Sequence, residues 1–249
     1  MDTAPPPIAP HATLPRHYAD DGERDRYVQA LFDGGAASYD RINAIFSLGT
    51  GARYRRDALK RAGLAPGKRL LDVATGTGLV AREAVRILGR PEDVVGLDLS
   101  AGMLREARAS LPNPLVQARA EALPLADASV DLVSMGYALR HVPDLVGTFR
   151  EYHRVLRPGG RVLLLEIDQP ASPVALAAVR FYLGRVVPGL SRIIGRGERD
   201  SRMMRYFWDT IDACVPPETI TAALAEAGFA DVGCDVQLGI FRAYGALRP

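Results

Sequence analysis

The sequence of 249 residues predicts an α/β fold built on a doubly wound, mostly parallel sheet. From Leu70 onward, short apolar runs alternate with segments of helical spacing, which is typical of βαβ units. The run VDLVSMGYAL is apolar on both faces, as a central strand of a parallel sheet should be. The last two runs, VGCDVQL and GIFRAYGAL, meet at Gly239 and predict a C-terminal antiparallel hairpin at an edge of the sheet.

The predicted elements follow one another in a regular order. RLLDVA is the first strand, and it leads through a glycine turn into a helix over residues 79–88. DVVGLDLS is the second strand, and Ser100 is placed to cap the following helix, AGMLREARASL. PLVQARA and VDLVSMGYAL are the third and fourth strands. The helix LVGTFREYHRVL stops at RPGG, and RVLLLEI is the fifth strand.

Three regions fall outside this alternation. Residues 1–20 contain five prolines and no Lys or Arg before Arg16, which predicts a disordered tail rather than a targeting segment. Residues 21–66 precede the first strand and are predicted to form a helical N-terminal cap. Residues 170–216 follow the fifth strand and are predicted to form a helical lid insertion. We therefore expect one domain over residues 21–249.

Composition narrows the function classes. The net charge of +2 gives no reason to expect a nucleic-acid partner. Cys214 and Cys234 have no CxxC partner, which disfavours a zinc site or a disulfide scaffold and is typical of a reducing compartment. No uninterrupted apolar run approaches the roughly 18 residues that a membrane-spanning helix needs. We expect a cytoplasmic protein without a bound metal.

The turn after the first strand predicts a ligand. Gly76 and Gly78 lack Cβ atoms, so a ligand can approach the backbone closely at the carboxyl end of the strand. Asp98 follows Gly78 by 20 residues, at the end of the second strand, where a carboxylate can bind ribose hydroxyls. From the residues alone, the spacing fits either NAD or S-adenosylmethionine (SAM). The structural alternative is a tight turn followed by a helix-capping acid.

Longer motifs decide between the two ligands. LLDVATGTG, VVGLDLSAGML, ARAEALPLADASVDLVSMGYALRHVPD and EYHRVLRPGGRVLLLEI resemble the motifs of class I SAM-dependent methyltransferases. FDGGAASYDRIN, FSLGTG and LGIFRAYGA resemble segments of the ubiquinone/menaquinone biosynthesis C-methyltransferases within that class. The resemblance covers roughly residues 27–249, and it implies a Rossmann-like fold and SAM as the cofactor instead of NAD.

The resemblance also implies the residues that bind SAM. Asp98 would take the ribose, Met103 would pack against the adenine, and Tyr39 would close over the SAM carboxylate. The structural alternatives are a core position for Met103 and a helix-packing role for Tyr39. The complete expected set is Tyr39, Asp72, Gly76, Gly78, Asp98, Met103, Glu121, Ala122 and Met135.

Arg140 and His141 follow the fourth strand and are the predicted catalytic residues. An aromatic carbon ortho to a hydroxyl becomes nucleophilic when that hydroxyl, with a pKa near 10, loses its proton. His141 could take this proton, and Arg140 could stabilise the phenolate. In the structural alternative, His141 binds a loop carbonyl and Arg140 binds a carboxylate such as Asp144. The family usually has Asn at the position of His141.

Three functions remain open at this stage. The first is methyl transfer from SAM to a ring carbon of a small aromatic, quinol-type substrate with a lipophilic tail. The second is O- or N-methylation of a specialised aromatic metabolite, and the third is a non-catalytic SAM-binding interaction protein. The lid insertion is rich in arginine and aromatic residues, so it could cover such a substrate or make peripheral contact with an anionic membrane. The alternative for this segment is a pair of packed helices with solvated arginines, and a homodimer is left open.

Overall fold

The computed structural model describes residues 7–47, 49–194 and 197–249. In this part of the chain, seven strands form one sheet: β1 (Leu70–Val73), β2 (Val94–Asp98), β3 (Leu115–Gln117), β4 (Val130–Gly136), β5 (Leu156–Ile167), β6 (Ala230–Gln237) and β7 (Phe241–Leu247). Their order is β3-β2-β1-β4-β5-β7-β6. The first five strands are parallel, and β7 pairs antiparallel with both β5 and β6. The predicted fold class is confirmed.

The helices occupy the predicted cap, the crossovers and the lid. They are α1 (Asp21–Phe46), α2 (Gly51–Arg61), α3 (Leu79–Leu88), α4 (Ala101–Ser110), α5 (Leu145–Val155), α6 (Pro173–Phe181), α7 (Val187–Ile194), α8 (Glu198–Asp212) and α9 (Pro217–Glu226). A π-helical turn, Tyr182–Val186, joins α6 to α7. Ser100 caps α4 as predicted, because its hydroxyl accepts a hydrogen bond from the backbone N–H of Met103.

Helices cover both faces of the sheet. On one face, Phe149 of α5 and Leu224 of α9 belong to a cluster that includes Val133 of β4. On the other face, Leu59 of α2 and Ala84 of α3 pack in a second cluster. These five side chains are at most 1% exposed, which accounts for the uninterrupted apolar character of the central strands.

The lid insertion forms a third apolar cluster with the N-terminal cap. Met203, Tyr206 and Trp208 of α8 are buried against α1 residues such as Leu31. By contrast, α6 buries none of its residues. Within the described residues, one helical stretch, Pro173–Leu190, is long and apolar enough to cross a membrane by length and composition, although only 17% of it is buried. The sequence expectation that no apolar run approaches 18 residues concerned uninterrupted runs. This stretch reaches 18 residues only as an average, because two arginines interrupt it.

The prediction of a disordered tail is wrong for residues 8–20. The backbone N–H of Ile8 donates to Asp144 at 2.9 Å, and the carbonyl of Ile8 accepts from the N–H of Leu145 at 2.9 Å. Tyr18 is 3% exposed and packs in the third cluster. The prolines favour an extended backbone, as the sequence suggested, but the apolar residues between them anchor the segment on the domain. Residues 1–6 of the predicted tail lie outside the described residues.

The helix ends before RPGG, as predicted, but RPGG already belongs to the fifth strand, which was expected to begin at Arg161 and begins at Leu156. Leu156 already pairs with Val130 of β4, and the register shifts before Leu132 pairs with Arg161. Gly159 adopts a φ of +78° within this irregular stretch, which a glycine tolerates without strain. The RPGG segment therefore forms a β-bulge at the beginning of β5.

Candidate active site

A cavity of about 130 Å³ lies at the carboxyl ends of β1, β2 and β4, against α1. We refer to it as the first cavity. The strand order changes direction between β1 and β4, and ligands of open α/β sheets bind in the crevice at such a point. Six of the nine residues expected to bind SAM line this cavity: Tyr39, Gly76, Asp98, Met103, Glu121 and Met135.

Asp98 ends β2 with a carboxylate that is held in place by two backbone groups. One oxygen accepts the N–H of Gly76 at 2.7 Å, and the other accepts the N–H of Ser100 at 2.8 Å. Each carboxylate oxygen has a second lone pair, so both can also accept a hydroxyl of a diol. Burial raises the pKa of Asp98 to about 6, which leaves the carboxylate mostly ionised at neutral pH. The site fits the ribose of SAM.

Gly76 and Gly78 serve different purposes although both have positive φ angles. A Cβ atom on Gly76 would meet no atom within 4 Å, so this glycine leaves open space at the wall of the first cavity. A Cβ atom on Gly78 would overlap the side chain of Leu111 on the far side of the turn. Gly78 is therefore needed for packing at the start of α3 and does not line the cavity.

Asp72 and Ala122 are also placed beside the first cavity and do not line it. The buried carboxylate of Asp72 accepts hydrogen bonds from the hydroxyls of Thr75 and Ser134, each at 2.6 Å. Burial raises the pKa of Asp72 to about 6. Ala122 forms an isolated bridge with Arg119. We interpret Asp72 as a residue that holds the turn after β1 in place through Thr75 and Ser134, without contacting the ligand itself.

Helix α1 covers the first cavity and is tied to both of its ligand-facing turns. Asp33 accepts the backbone N–H of Gly102, in the first turn of α4, at 2.7 Å. Seven residues further along α1, Asp40 accepts a hydrogen bond from the hydroxyl of Thr77 in the glycine turn. The two acids share one face of the helix because seven residues make two turns. Tyr39 directly precedes Asp40 in the sequence and lines the cavity.

A second cavity, of about 270 Å³, adjoins the first. Tyr39 and Tyr137 line both cavities and form the wall between them. The rest of the second cavity comes from α1, α2, α8, the end of β5 and the turn between β6 and β7. Its polar side chains include Asn43 and Arg55, and five aromatic side chains line it as well: Tyr39, Tyr54, Tyr137, Phe207 and Phe241.

Tyr137, in the shared wall, has a strained backbone. Its φ is +62°, a value that non-glycine residues rarely adopt and that recurs at functional sites. Its N–H donates to the carbonyl of Leu165 at 2.7 Å, and its carbonyl accepts from Arg140 at 3.1 Å. Burial raises the pKa of the Tyr137 phenol well above its usual value, so the phenol stays neutral.

Arg140 does not line either cavity. Its side chain is fully buried, and its Nε donates to Glu166 at 3.1 Å. Its other nitrogens donate to the carbonyls of Tyr137 and Phe207 and to the hydroxyl of Thr210. The structural alternative for Arg140 therefore describes its position, with Glu166 as the carboxylate. Asp144, the partner named from the sequence, caps α5 instead.

His141 lines the first cavity with a neutral ring. Its Nδ1 lies 3.3 Å from the hydroxyl of Tyr206, and the two rings stack with centroids 5.5 Å apart. Its Nε2 is buried with no hydrogen-bond partner among the described residues. Burial, with Arg140 as a second cause, lowers the pKa of His141 well below its usual value. A ring with this pKa is poorly suited to hold a proton taken from a phenol.

Tyr137, Arg55 and the acids of α1 were not among the residues predicted from the sequence. Asp33 and Asp40 are part of FDGGAASYDRIN, and their spacing of seven would have placed them on one helix face. Arg55 belongs to ARYRRDALKRAGL, where a buried arginine cannot be distinguished from its exposed neighbours by sequence alone. Nothing in MGYAL signals the positive φ of Tyr137.

Comparisons with known proteins find relatives over most of the chain. Residues 20–243 match the model of the ubiE/COQ5 methyltransferase family. A ubiquinone/menaquinone biosynthesis C-methyltransferase UbiE from Hahella chejuensis is 35% identical over 213 residues, covering 83% of this chain and 84% of the relative. A demethylmenaquinone methyltransferase from Lactiplantibacillus plantarum is 34% identical over 212 residues, covering 82% and 88%.

Solved structures share the fold at lower sequence identity. A SAM-dependent methyltransferase from Thermotoga maritima is similar with a TM-score of 0.62 and 18% identity, covering 89% of this chain and 99% of that one. Phosphoethanolamine N-methyltransferase 2 from Haemonchus contortus, in complex with SAM, has a TM-score of 0.55 and 18% identity, covering 79% and 52%. At this identity the likeness concerns the fold alone.

Proposed function

This chain belongs to the ubiE/COQ5 methyltransferase family and is a SAM-dependent methyltransferase, and we propose that it methylates a ring carbon of a quinol-type acceptor in the second cavity. The observation that carries the proposal is the wall shared by the two cavities, Tyr39 and Tyr137. The relatives are methyltransferases of ubiquinone/menaquinone biosynthesis and of demethylmenaquinone, which indicates the class of acceptor, and the aromatic side chains that line the second cavity are suited to a planar ring.

SAM supplies an electrophilic methyl group on a sulfonium, so the task of the chain is to hold two reactants in line and exclude water. We propose that Asp98 binds the ribose, with Gly76 leaving space beside it. Met103 and Met135, both at most 2% exposed, supply apolar walls for the adenine and the methionine portion. Glu121 borders the adenine, and Tyr39 closes the cavity from α1.

The acceptor is proposed to bind in the second cavity with its reacting carbon facing the methyl group of SAM, at the boundary formed by Tyr39 and Tyr137. SAM held by Asp98 beside Gly76 would supply the methyl carbon with sulfur as its leaving group, and a ring carbon next to an ionised hydroxyl would supply the electron pair of the new bond. The ring carbon would then release its proton to solvent, and aromaticity would be restored. Arg140 acts here as a positioning residue, because it fixes the strained Tyr137 and links it to Phe207 of α8.

The acceptor can be tested by product analysis. The enzyme is incubated with methyl-labelled SAM and a demethylmenaquinol that carries a short prenyl tail. We expect a label bound to the ring carbon by NMR, and no transfer to the matched menaquinol, whose ring position is already methylated. Label on oxygen would support the O-methyltransferase alternative. SAM binding without transfer to either quinol or to simple phenols and amines would support a non-catalytic protein.

We also propose peripheral membrane contact through α6. Val174, Ala177, Ala178 and Phe181 recur at helical spacing, and all four are exposed, with Val174 at 80% and Phe181 at 59%. A groove nearby is lined by five arginines: Arg16, Arg180, Arg185, Arg202 and Arg205. An apolar stripe beside basic side chains is suited to a bilayer with anionic headgroups, where an acceptor with a lipophilic tail would reside.

Sedimentation with vesicles tests this contact. We expect wild-type protein to bind vesicles that contain phosphatidylglycerol more tightly than vesicles of phosphatidylcholine alone, and Phe181→Asp to weaken that binding. Val236→Asp is the matched control, because Val236 is an exposed apolar residue on the edge strand β6. Equal binding of all three proteins to both vesicles would contradict a role for α6.

A further inference from the structure

Arg55 of α2 is a buried cation that lines the second cavity. Asp57, a carboxylate that also lines this cavity, pairs with Arg53 at 3.7 Å and not with Arg55. Its side chain lines the cavity, and the residue is only 4% exposed. The guanidinium donates one hydrogen bond, to the amide oxygen of Asn43 at 2.7 Å. Its Nε is buried with no partner, and it forms no ion pair with any carboxylate in residues 7–47, 49–194 and 197–249. Such a charge is costly to bury unless something neutralises it.

The surroundings of Arg55 add to this cost. A Cβ atom on Gly51 would lie 2.9 Å from its Nη1, so the guanidinium folds back against the first turn of its own helix. That end of a helix carries partial positive charge and favours anions. The ring of Tyr137 offers partial compensation, since it lies 5.8 Å from the guanidinium carbon. A second donor, the buried hydroxyl of Tyr54, also lines the cavity and has no partner among the described residues.

We propose that Arg55 and the first turn of α2 form an oxyanion subsite that binds the ionised ring oxygen of the acceptor. This inference rests on the proposed function, because it takes the second cavity as the acceptor site. An opposite charge at close range favours the charged form of a hydroxyl, so the subsite lowers the pKa of the bound phenol. The acceptor is thereby bound as its anion, its hydroxyl proton is released to solvent, and no side-chain base is required to hold that proton.

A coloured phenol tests the subsite without methyl transfer. para-Nitrophenol absorbs differently as phenol and phenolate, so titration in the presence of excess protein reports the pKa of the bound molecule. We expect the wild type to bind the phenolate at least tenfold more tightly than the phenol. Arg55→Met should abolish this preference and Arg55→Lys should retain part of it. Lys60→Met removes the same charge from the exposed face of α2 and should behave as wild type.

Stability and turnover provide the second readout. Because Arg55 is an unneutralised buried cation, Arg55→Met should unfold at the same temperature as wild type or higher, and its SAM affinity should be unchanged. Its rate with demethylmenaquinol should fall at least tenfold at neutral pH and recover as the pH approaches the pKa of the free quinol. A lowered unfolding temperature with loss of both ligands would mean that Arg55 supports the fold, and would overturn the proposal.

The outcomes separate this inference from the proposed function. Full methyl transfer by Arg55→Met, with no change in the titration of para-nitrophenol, would refute the subsite and leave the quinol acceptor in place. A phenolate preference that depends on Arg55, without transfer to any quinol, would support the subsite and reject the proposed acceptor.

Discussion

The first and second cavities differ in how the chain builds them. The first cavity draws on the turns that follow β1, β2, β3 and β4, each a short stretch of sequence, and on α1, which covers them. The second draws one or a few residues from each of several distant segments: α1, α2, β5, α8 and the β6–β7 turn. The sheet therefore determines the cofactor site, and the covering elements determine which acceptor enters beside it.

The two cavities also carry opposite charges. Arg119 pairs with Glu121 beside the first cavity, and Arg53 pairs with Asp57 beside the second. The carboxylate of Asp98 is then left to face the sulfonium donor SAM, and the guanidinium of Arg55 is buried in the second cavity. Tyr39 and Tyr137 stand between them, and burial raises the pKa of both phenols, so neither adds charge to the wall. A cationic methyl donor and an anionic acceptor would each meet a complementary side chain.

The largest expected effect is on stability, at the residue that supports the wall. Arg140→Met leaves Glu166 as a buried carboxylate without its partner, and breaking such a pair costs about 3–5 kcal/mol. Chemical unfolding should show this loss, and Arg140→Met combined with Glu166→Gln should recover part of it. Arg150→Met, which breaks an exposed pair with Glu226, should cost less than about 1 kcal/mol. A stable Arg140→Met enzyme with a reduced rate would instead restore the predicted catalytic role.

The second effect separates the first cavity from the second. Asp98→Asn weakens two hydrogen bonds to ribose, each worth about 1.5–3 kcal/mol when charged, so SAM affinity should fall about 100-fold by calorimetry. The phenolate preference of the second cavity should not change. Asp127→Asn, at a carboxylate that is 75% exposed, is the control. Unchanged SAM affinity in Asp98→Asn would remove the ribose assignment.

The pH dependence of SAM binding sharpens the same assignment. Burial raises the pKa of Asp98 to about 6, above the value of about 3.9 in an unfolded chain. Protonation is therefore favoured by the native state, and this contribution to stability is lost as the pH rises through about 6. SAM needs the ionised form, so its affinity should fall as the pH decreases below about 6. In Asp98→Asn, SAM affinity should no longer fall as the pH decreases below about 6. An equal fall in the variant would assign this pH dependence to Asp72, whose pKa is also about 6.

The third effect distinguishes the two glycines of one turn. Gly78→Ala places a methyl group against Leu111 at a positive φ and should cost about 2–4 kcal/mol of stability. Gly76→Ala meets only the positive φ, so it should cost about 1–2 kcal/mol and weaken SAM binding more than Gly78→Ala does. Thermal unfolding and calorimetry measure the two quantities. The reverse ranking for SAM would mean that the space beside Gly76 is not the ligand site.

The sequence predicted the sheet and the strand-end turns that border the first cavity, because both depend on local patterns. Alternating apolar runs determine the strands, and the positions of Gly76 and Asp98 follow from where those strands end. The second cavity could not be predicted in this way, since residues such as Asn43 and Phe241 are nearly 200 positions apart in the sequence and meet only through tertiary packing. The order of residues 8–20 could not be predicted for the same reason. Prolines indicate an extended local backbone, but they carry no information on the tertiary surface against which Tyr18 packs.

The smallest expected effect is at His141, which borders the first cavity although it was predicted to act on the acceptor. Its pKa is lowered well below the usual value, so His141→Asn should keep kcat within about tenfold, whereas loss of a general base costs roughly 10²–10⁴-fold. The SAM dissociation constant should change more than kcat does, because the ring lines that cavity and stacks on Tyr206.

The pH–rate profile completes the test of His141. Wild type and His141→Asn should rise together with pH, since the ionisation that limits the rate belongs to the acceptor beside Arg55. His141→Ala also removes the contact with the Tyr206 hydroxyl and should lose about 1 kcal/mol of stability in addition. Three results together would establish the imidazole as the base: His141→Asn loses a limb of the wild-type pH–rate profile, its kcat falls about 100-fold or more, and its SAM affinity is unchanged. In that case, proton removal from the acceptor would be assigned to the first cavity, and the two cavities could no longer be separated by function.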